Sequence, residues 1–150
     1  MKCTVKPASR EEALWVSSRL RPADRREVET LTGRHPEEVL KTAYELSAEC
    51  YVLRFNDEPD PVAVFGVTPG YAMMGVPWFL ATPQVVRGSK AILREAPKWL
   101  NAWSQKYFKL YNIVDPRNEL HVRWVVAAGC RLSGSTVEIN GHPFIPFFYN

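Results

Sequence analysis

The sequence predicts a single mixed α/β domain (residues 1–150), in which helices flank a mostly antiparallel sheet that contains one splayed parallel pair of strands. The first observation is length, because 150 residues suffice for one domain of ordinary size but not for two. The second is the order of hydrophobic patterns: a strand, helices, three strands, a helix, a strand, a helix and a hairpin. The third is the strand, crossover helix and strand in the middle of that order, which implies a parallel pair.

The first third of the chain predicts one short edge strand and three helices. The strand is Cys3–Lys6, and Ser9 after it is suited to cap the first helix. A second helix is expected from Ala23 to Leu31, ending at Gly33, and a third begins near Pro36, because proline is favoured in a first helical turn. The first helix is expected to bury one face, formed by Leu14, Trp15, Ser18 and Leu20.

The middle third changes to strand-forming residues. Cys50–Phe55 and Val62–Val67 are separated by polar residues and prolines, which predicts a hairpin. Val76–Ala81 is nearly all apolar, which predicts a central strand covered on both faces. A short polar step, Arg87–Ser89, precedes a long amphipathic helix, and a bend is expected in that helix at Pro97.

The last third supplies the second strand of the parallel pair. Leu110–Val114 is expected to run parallel to Val76–Ala81. Asn118 is expected to cap a helix over Glu119–Ala128. Asn140-Gly141 between two strand-like runs is the strongest short signal for a hairpin. Those two runs are Thr136–Ile139 and His142–Tyr149.

Composition excludes several classes of protein. With 46% hydrophobic and 23% charged residues, the chain is close to a globular average, and neither a disordered nor a collagen-like chain fits. The net charge of +3 permits an anionic partner without requiring one. No apolar run is long enough for a membrane span, and the first residues do not resemble a secretion signal. The three cysteines and three histidines are scattered, which predicts free thiols, no disulfide framework and no metal site.

Two stretches carry a resemblance to a known family. One runs from Asn118 to Cys130 and has the asparagine, the apolar helix positions and Gly129 in the family's order. The other is Trp78–Pro83, followed by the step around Gly88, where the family has its central strand and its pyrophosphate loop. Both resemble the GNAT acyltransferases, which implies strands that part like a V beside that loop and a bound acetyl-coenzyme A. The positions that match the family's cofactor-binding residues are Leu80, Ala81, Arg87, Gly88, Ser89, Lys90 and Asn118.

The segment from Phe79 to Tyr149 resembles one branch more closely, the GNAT-like internal virion (internal core) proteins of short-tailed bacteriophages. This resemblance implies a virion or virion-assembly protein that acts by contact with other virion or phage proteins. It also implies a location in the virion or the host cytoplasm.

Two departures from the family's pattern bear on chemistry. The family's loop has two small residues at close spacing for phosphate, whereas only Gly88 remains here. The family's usual acid, a tyrosine, falls at Val125, and valine has no proton to donate. The sequence therefore favours an inherited fold with a degenerate acyl-coenzyme A site. The alternatives are an active acetyl-coenzyme A-dependent N-acyltransferase on an unknown amine and a coenzyme-binding regulator without turnover.

No spacing selects a catalytic residue. Glu45, Glu49 and His142 are conceivable bases for an amine nucleophile, and Tyr107 and Tyr111 are conceivable acids. For His121 the sequence favours a structural role over the role of a base.

Two basic segments and one apolar segment of the sequence bear on the surface of the protein. The basic face Lys90, Arg94 and Lys98 predicts a solvated helix face, with DNA contact not favoured. The arginines near the start of the chain are interspersed with the acids Asp24, Glu27 and Glu29. This mixture of charges also predicts a solvated surface. Phe144–Tyr149 has too many large apolar residues for one face, so either helices cover its second face or another copy of the chain does, in a homo-oligomer.

Overall fold

A computed structural model describes all residues from Met1 to Asn150. The chain forms five α-helices and eight β-strands. The helices are α1 (Arg10–Ser17), α2 (Pro22–Thr32), α3 (Pro36–Leu46), α4 (Ser89–Ser104) and α5 (Glu119–Ala127). The strands are β1 (Cys3–Pro7), β2 (Glu49–Phe55), β3 (Ala63–Pro69), β4 (Gly75–Ala81), β5 (Leu110–Val114), β6 (Arg131–Leu132), β7 (Val137–Ile139) and β8 (His142–Tyr149). None of the helices combines the length and the hydropathy that a bilayer crossing requires.

The strands form one sheet in the order β1-β2-β3-β4-β5-β8-β6, and β7 pairs with β8. Every neighbouring pair is antiparallel except β4 and β5, which run parallel. The crossover between these two strands is made by α4, as the order of patterns requires. The predicted mixed α/β fold, with its single parallel pair, is confirmed.

β4 and β5 share one register pair, Gly75 with Leu110, and part beyond it. At this closed end the Gly75 amide donates to the carbonyl of Lys109 at 2.9 Å. Glycine is required there, because a Cβ would lie 2.8 Å from the Tyr107 ring. Farther along, the side-chain amide of Asn112 crosses the gap and donates to the Pro77 carbonyl at 2.7 Å. We call this opening between β4 and β5 the V.

The helices cover both faces of the sheet, so β4 is a covered central strand as predicted. Side chains alternate along the strands, and one set packs with α1 and α3. That set includes Val52, Val64, Trp78 and Leu80. The opposite set packs with α4 and α5, and it includes Leu53, Phe65, Phe79 and Val114. The V therefore opens onto a helical layer on each face of the sheet.

Helix α1 begins where the sequence predicts, but it buries a different face. The hydroxyl of Ser9 accepts from the Glu12 amide at 3.1 Å, and the Glu12 carboxylate accepts from the Ser9 amide at 2.9 Å. The buried positions are Ala13, Val16, Ser17 and Leu20. Of the four residues expected there, Leu14 and Trp15 are half-buried and Ser18 is exposed. The expectation fails because the side of α1 that packs against α3 and β3 carries Ala13 and Val16. The Trp15 ring stands instead beside the Arg19 guanidinium, at 4.1 Å.

The closing hairpin has the predicted turn. Asn140 and Gly141 have φ values of 52° and 75°, the left-handed pair that a type I′ turn requires. β8 lies inside the sheet, between β5 on one side and β6 and β7 on the other. Its Phe144 and Phe147 are buried, and the other apolar residues of the strand are half-buried. Much of this apolar strand is thus covered by its own chain, and a homo-oligomer through it stays a prediction.

Asp115 joins the end of β5 to the start of β8. Its carboxylate accepts from His142 Nε2 at 3.0 Å and from the guanidinium and amide of Arg117 at 2.8–3.2 Å. Burial alone would raise the pKa of this carboxyl, but these hydrogen bonds lower it from 3.8 to about 2. A depressed pKa contributes stability above the unfolded value, and this stability is lost as the pH falls from about 4 toward 2.

We expect Asp115→Asn to lower the free energy of unfolding by about 2 kcal/mol at pH 7, because the charge-assisted hydrogen bonds are lost. Urea titrations followed by tryptophan fluorescence measure this difference, which should shrink as the pH falls from 4 toward 2. The control is Asp57→Asn in an exposed turn. Equal losses for the two variants, or a loss independent of pH, would contradict the prediction.

Candidate functional site

A cavity of ≈ 240 Å³ extends through the sheet at the V. Of the 26 residues that line it, 21 are hydrophobic, so a ligand inside would be held mainly by apolar contacts. The lining comes from both helical layers. One wall is formed by Val28, Leu31, Val39, Ala43, Trp78 and Leu80, on the face of α2 and α3. The other is formed mainly by α4 and α5, and includes Phe79, Ile92, Ala96, Trp99, Trp103, Trp124 and Val125.

A cluster of polar side chains stands at the open end of the V, where α2 meets α5. The Asn118 side-chain amide donates to Asp24 Oδ1 at 2.9 Å and to Glu27 Oε1 at 3.1 Å. Glu27 Oε1 also lies 3.4 Å from His121 Nδ1, and the Arg21 guanidinium donates to Asp24 at 2.7 Å. Both carboxylates are buried, at 4% exposure for Asp24 and 9% for Glu27. We call these five residues the V cluster; Glu27 and His121 also line the cavity.

The V cluster binds the last residue of β4. The Ala81 amide donates to Asp24 Oδ2 at 3.0 Å, and the Ala81 carbonyl accepts from the Arg21 amide at 2.9 Å. These backbone groups point away from β3, and the parted β5 leaves them without a strand partner. The start of α2 therefore satisfies the end of β4 in place of β5.

Burial and nearby charges have opposite effects on the pKa values of His121 and Asp24 in the V cluster. Burial alone would lower the pKa of the His121 imidazole, but the carboxylates of Glu27 and Asp24 raise it above 6.5. Burial raises the pKa of the Asp24 carboxyl, and this effect exceeds the lowering by His121, Arg21 and its hydrogen bonds. The His121 imidazole, which lies beside the Glu27 carboxylate at the cavity wall, can therefore hold or release a proton inside an apolar cavity.

The structure divides the sequence-predicted cofactor residues into two groups. Leu80, Ala81 and Asn118 lie together at the open end of the V. Asn118 stands before α5 as expected, but the prediction that its side chain caps this helix is wrong. Its amide instead donates to Asp24 and Glu27, because those buried carboxylates need donors.

The second group, Arg87–Lys90, lies across the ends of β1 and β2. The predicted short polar step is the end of a 3₁₀ helix, Pro83–Gly88, which carries the start of α4 over these strands. A Cβ at Gly88 would lie 2.5 Å from the Phe55 ring, so glycine is required there by close packing. The Arg87 guanidinium donates to Glu58 at 2.7 Å, whereas Lys90 is exposed.

The residues weighed as acids and bases do not line the cavity. Glu49 accepts from Lys106 at 2.7 Å and from the Tyr51 hydroxyl at 2.6 Å, and His142 bonds to Asp115. Tyr107, Tyr111 and Glu45 are likewise outside the lining.

The sequence did not reveal that the carboxylates of Asp24 and Glu27 belong to the V cluster. The prediction that Asp24 and Glu27 belong to a solvated surface is wrong for both, because α2 turns them toward Asn118 and His121. Only their spacing of three along a helix, which places both on one face, could have indicated this.

No protein-family model and no curated protein matches the sequence. Solved structures do match it over nearly its whole length. A spermidine N-acetyltransferase from Vibrio cholerae, in complex with CoA and spermine, has a TM-score of 0.68 and 13% identity, over 99% of this chain and 95% of that one. AAC(6')-Ib, in complex with ribostamycin and coenzyme A, has a TM-score of 0.67 and 13% identity, over 100% and 94%. A GNAT-family acetyltransferase from Bacillus anthracis has a TM-score of 0.69 and 11% identity, over 99% and 93%.

These likenesses show that the chain has the fold of the GNAT acetyltransferases, with the parallel pair where that fold requires it. At such low identity they say nothing of its substrate. They give no support to the more specific resemblance to phage internal virion proteins, nor to a location in a virion.

We expect Glu27→Gln to lower the pKa of the His121 imidazole, because the neutral amide keeps the shape but removes a carboxylate that raises this pKa. Nuclear magnetic resonance titration of the imidazole protons measures it, with His121→Gln used to assign the signal. Glu29→Gln, an exposed change on the same helix, is the control and should leave the value unchanged. An unshifted His121 titration in Glu27→Gln would show that the two groups do not interact.

Proposed function

We propose that the protein is an acyl-coenzyme A-dependent N-acyltransferase that transfers an acyl group to an amine inside the V. One observation carries the proposal: an apolar cavity crosses the sheet between two parted parallel strands and is lined by the Glu27–His121 pair. A transfer between two substrates needs room for both reacting groups and a group that takes a proton. This cavity is lined from both helical layers, and His121 is part of its lining. The fold shared with N-acetyltransferases that hold coenzyme A supports the proposal.

The thioester would enter on the face of α4 and α5, where the family resemblance puts the phosphate-binding loop. Along β4 the Pro77 carbonyl and the Ala81 amide and carbonyl are directed toward the V. Because backbone direction alternates along a strand, the N–H and C=O of Phe79 between them point into the V as well. The Pro77 and Ala81 groups already have partners, in Asn112 and at the start of α2. The N–H and C=O of Phe79 would therefore bond the amides of the pantetheine arm, while the apolar wall excludes water.

The phosphates of the donor would lie at the start of α4. Gly88 supplies no side-chain cap to this helix, so no side chain competes for its first amides. Ser89 and the exposed Lys90 stand in the same turn and would add a hydroxyl and a positive charge. Arg87 would contribute only after it leaves Glu58.

In the proposed reaction the amine nitrogen attacks the thioester carbonyl carbon, a C–N bond forms, and the C–S bond breaks to release a thiolate. Neutral His121 takes the proton that the amine loses, and Glu27 stabilises the imidazolium that results. The imidazolium returns this proton to the thiolate sulfur, which balances the step. Val125 cannot serve as the acid, so His121 acts in both directions.

A second candidate is the function that the sequence favours, a protein that keeps this fold, has a degenerate site and acts by contact with other proteins. Three contacts support it: Asp24 occupies the Ala81 amide, Asn118 is bonded within the V cluster, and Arg87 is paired with Glu58. Each takes a group that the family uses for the coenzyme. The two candidates differ in whether acetyl-coenzyme A binds.

We expect acetyl-coenzyme A to bind the wild-type chain and Ala96→Trp to weaken this binding roughly tenfold or more, because the indole fills the α4 side of the cavity. Isothermal titration calorimetry measures both dissociation constants. The control is Ala102→Trp, the same change on the exposed face of α4, which should bind as the wild type does. Absence of heat and of any melting shift with the wild type would leave only the second candidate.

We expect kcat/KM to rise with pH through the pKa of His121, since the neutral imidazole is the base, and His121→Gln to lose this pH limb together with roughly 10²–10⁴ of the rate. Release of the coenzyme A thiol measures the rate. His35→Gln, at an exposed histidine, should leave the profile unchanged. A His121→Gln enzyme with the wild-type pH profile would remove His121 from the reaction.

A further inference from the structure

The cavity wall on the face of α2 and α3 has a composition that selects among amines. Apart from Glu27, its side chains are apolar, and they are Val28, Leu31, Val39, Ala43, Trp78 and Leu80. With the thioester on the other face of the sheet, this wall receives the acceptor. We infer that the acceptor is a hydrophobic monoamine with an aromatic body, an arylalkylamine; this inference rests on the proposed function.

The number of available carboxylates limits the number of ammonium groups. Asp24 is committed to Arg21, Asn118 and the Ala81 amide, so Glu27 is the carboxylate of the V cluster that lines the cavity on this face. Glu95, the other acid in the lining, belongs to α4 on the opposite face and lies 3.4 Å from Lys98. One amine nitrogen can therefore be placed beside Glu27. A second ammonium on the same molecule would be buried among aliphatic side chains without a partner, which is costly.

The aromatic body is inferred from the Trp78 ring. The indole N–H donates to the Ser47 hydroxyl at 2.9 Å, and this hydroxyl donates in turn to the Ala43 carbonyl of α3 at 2.6 Å. The indole is thus held in one orientation with its polar atom satisfied, which leaves its ring as a rigid apolar wall. Flat aromatic groups pack well on such a surface and gain more than the burial of their area alone provides.

The test compares two amines with acetyl-coenzyme A as donor, 2-phenylethylamine and spermidine, and measures thiol release at several concentrations of each. We expect kcat/KM for 2-phenylethylamine to exceed that for spermidine at least tenfold. Equal values, or a preference for spermidine, would overturn the inference and leave the proposed function intact. No release with either amine or with a wider amine panel would overturn the proposed function and the inference with it.

A pair of variants tests whether this wall sets the preference. Val39→Asp adds a second carboxylate to the acceptor side, so we expect the ratio of kcat/KM values to move at least tenfold toward spermidine. Ala43→Asp makes the same addition from the next turn of α3 and serves if the first variant does not fold. Val137→Asp, on an exposed valine of β7, is the matched control and should keep the wild-type ratio. An unchanged ratio in the folded wall variants would overturn the inference.

Discussion

The parting of β4 and β5 is the constraint on which the rest of the structure depends. Two parallel strands that share a single register pair leave backbone groups inside the protein without strand partners, and buried backbone groups must find others. Asn112 supplies one at the Pro77 carbonyl, and α2 supplies two at Ala81, through Asp24 and the Arg21 amide. These contacts satisfy backbone groups of β4 that have no strand partner. The two strands can therefore stay apart, and the cavity lies between them.

The contacts at Ala81 place charged side chains inside the protein, where the loss of hydration makes a charge costly. Two carboxylates buried at the open end of the V would be destabilising alone, since each leaves water. Arg21 and a His121 whose pKa is raised offset them, and Asn118 donates to both carboxylates. The same network that compensates for the missing strand pairing therefore places the His121 imidazole and the Glu27 carboxylate against the cavity. Asp24 and Arg21 meet the structural requirement at Ala81, and Asn118 joins Asp24 to Glu27, which lines the cavity.

Much of this fold could be predicted from the sequence because its signals are local. The all-apolar β4, the Asn140-Gly141 turn and the Ser9 cap each depend on a few neighbouring residues, and all are found where expected. The V cluster could not be predicted in this way. Asp24 and Asn118 are 94 positions apart, and two acids spaced by three on a helix are as typical of a solvated face as of a buried one. Which face of α1 is buried likewise depends on distant packing.

Val125 stands where the GNAT resemblance implies a tyrosine acid, and its neighbours on α5 reduce the weight of that difference. Positions four apart on a helix lie on the same face, so Val125 and His121 belong to the face of α5 that meets the cavity. Position 125 itself is a valine, but the His121 imidazole stands one turn earlier on the same face, with the buried Glu27 carboxylate beside it. Proton transfer needs a group within reach of the reacting atoms, whatever position it occupies in the motif. The valine at position 125 is therefore compatible with proton transfer in this cavity, for which the proposed reaction uses the His121 imidazole.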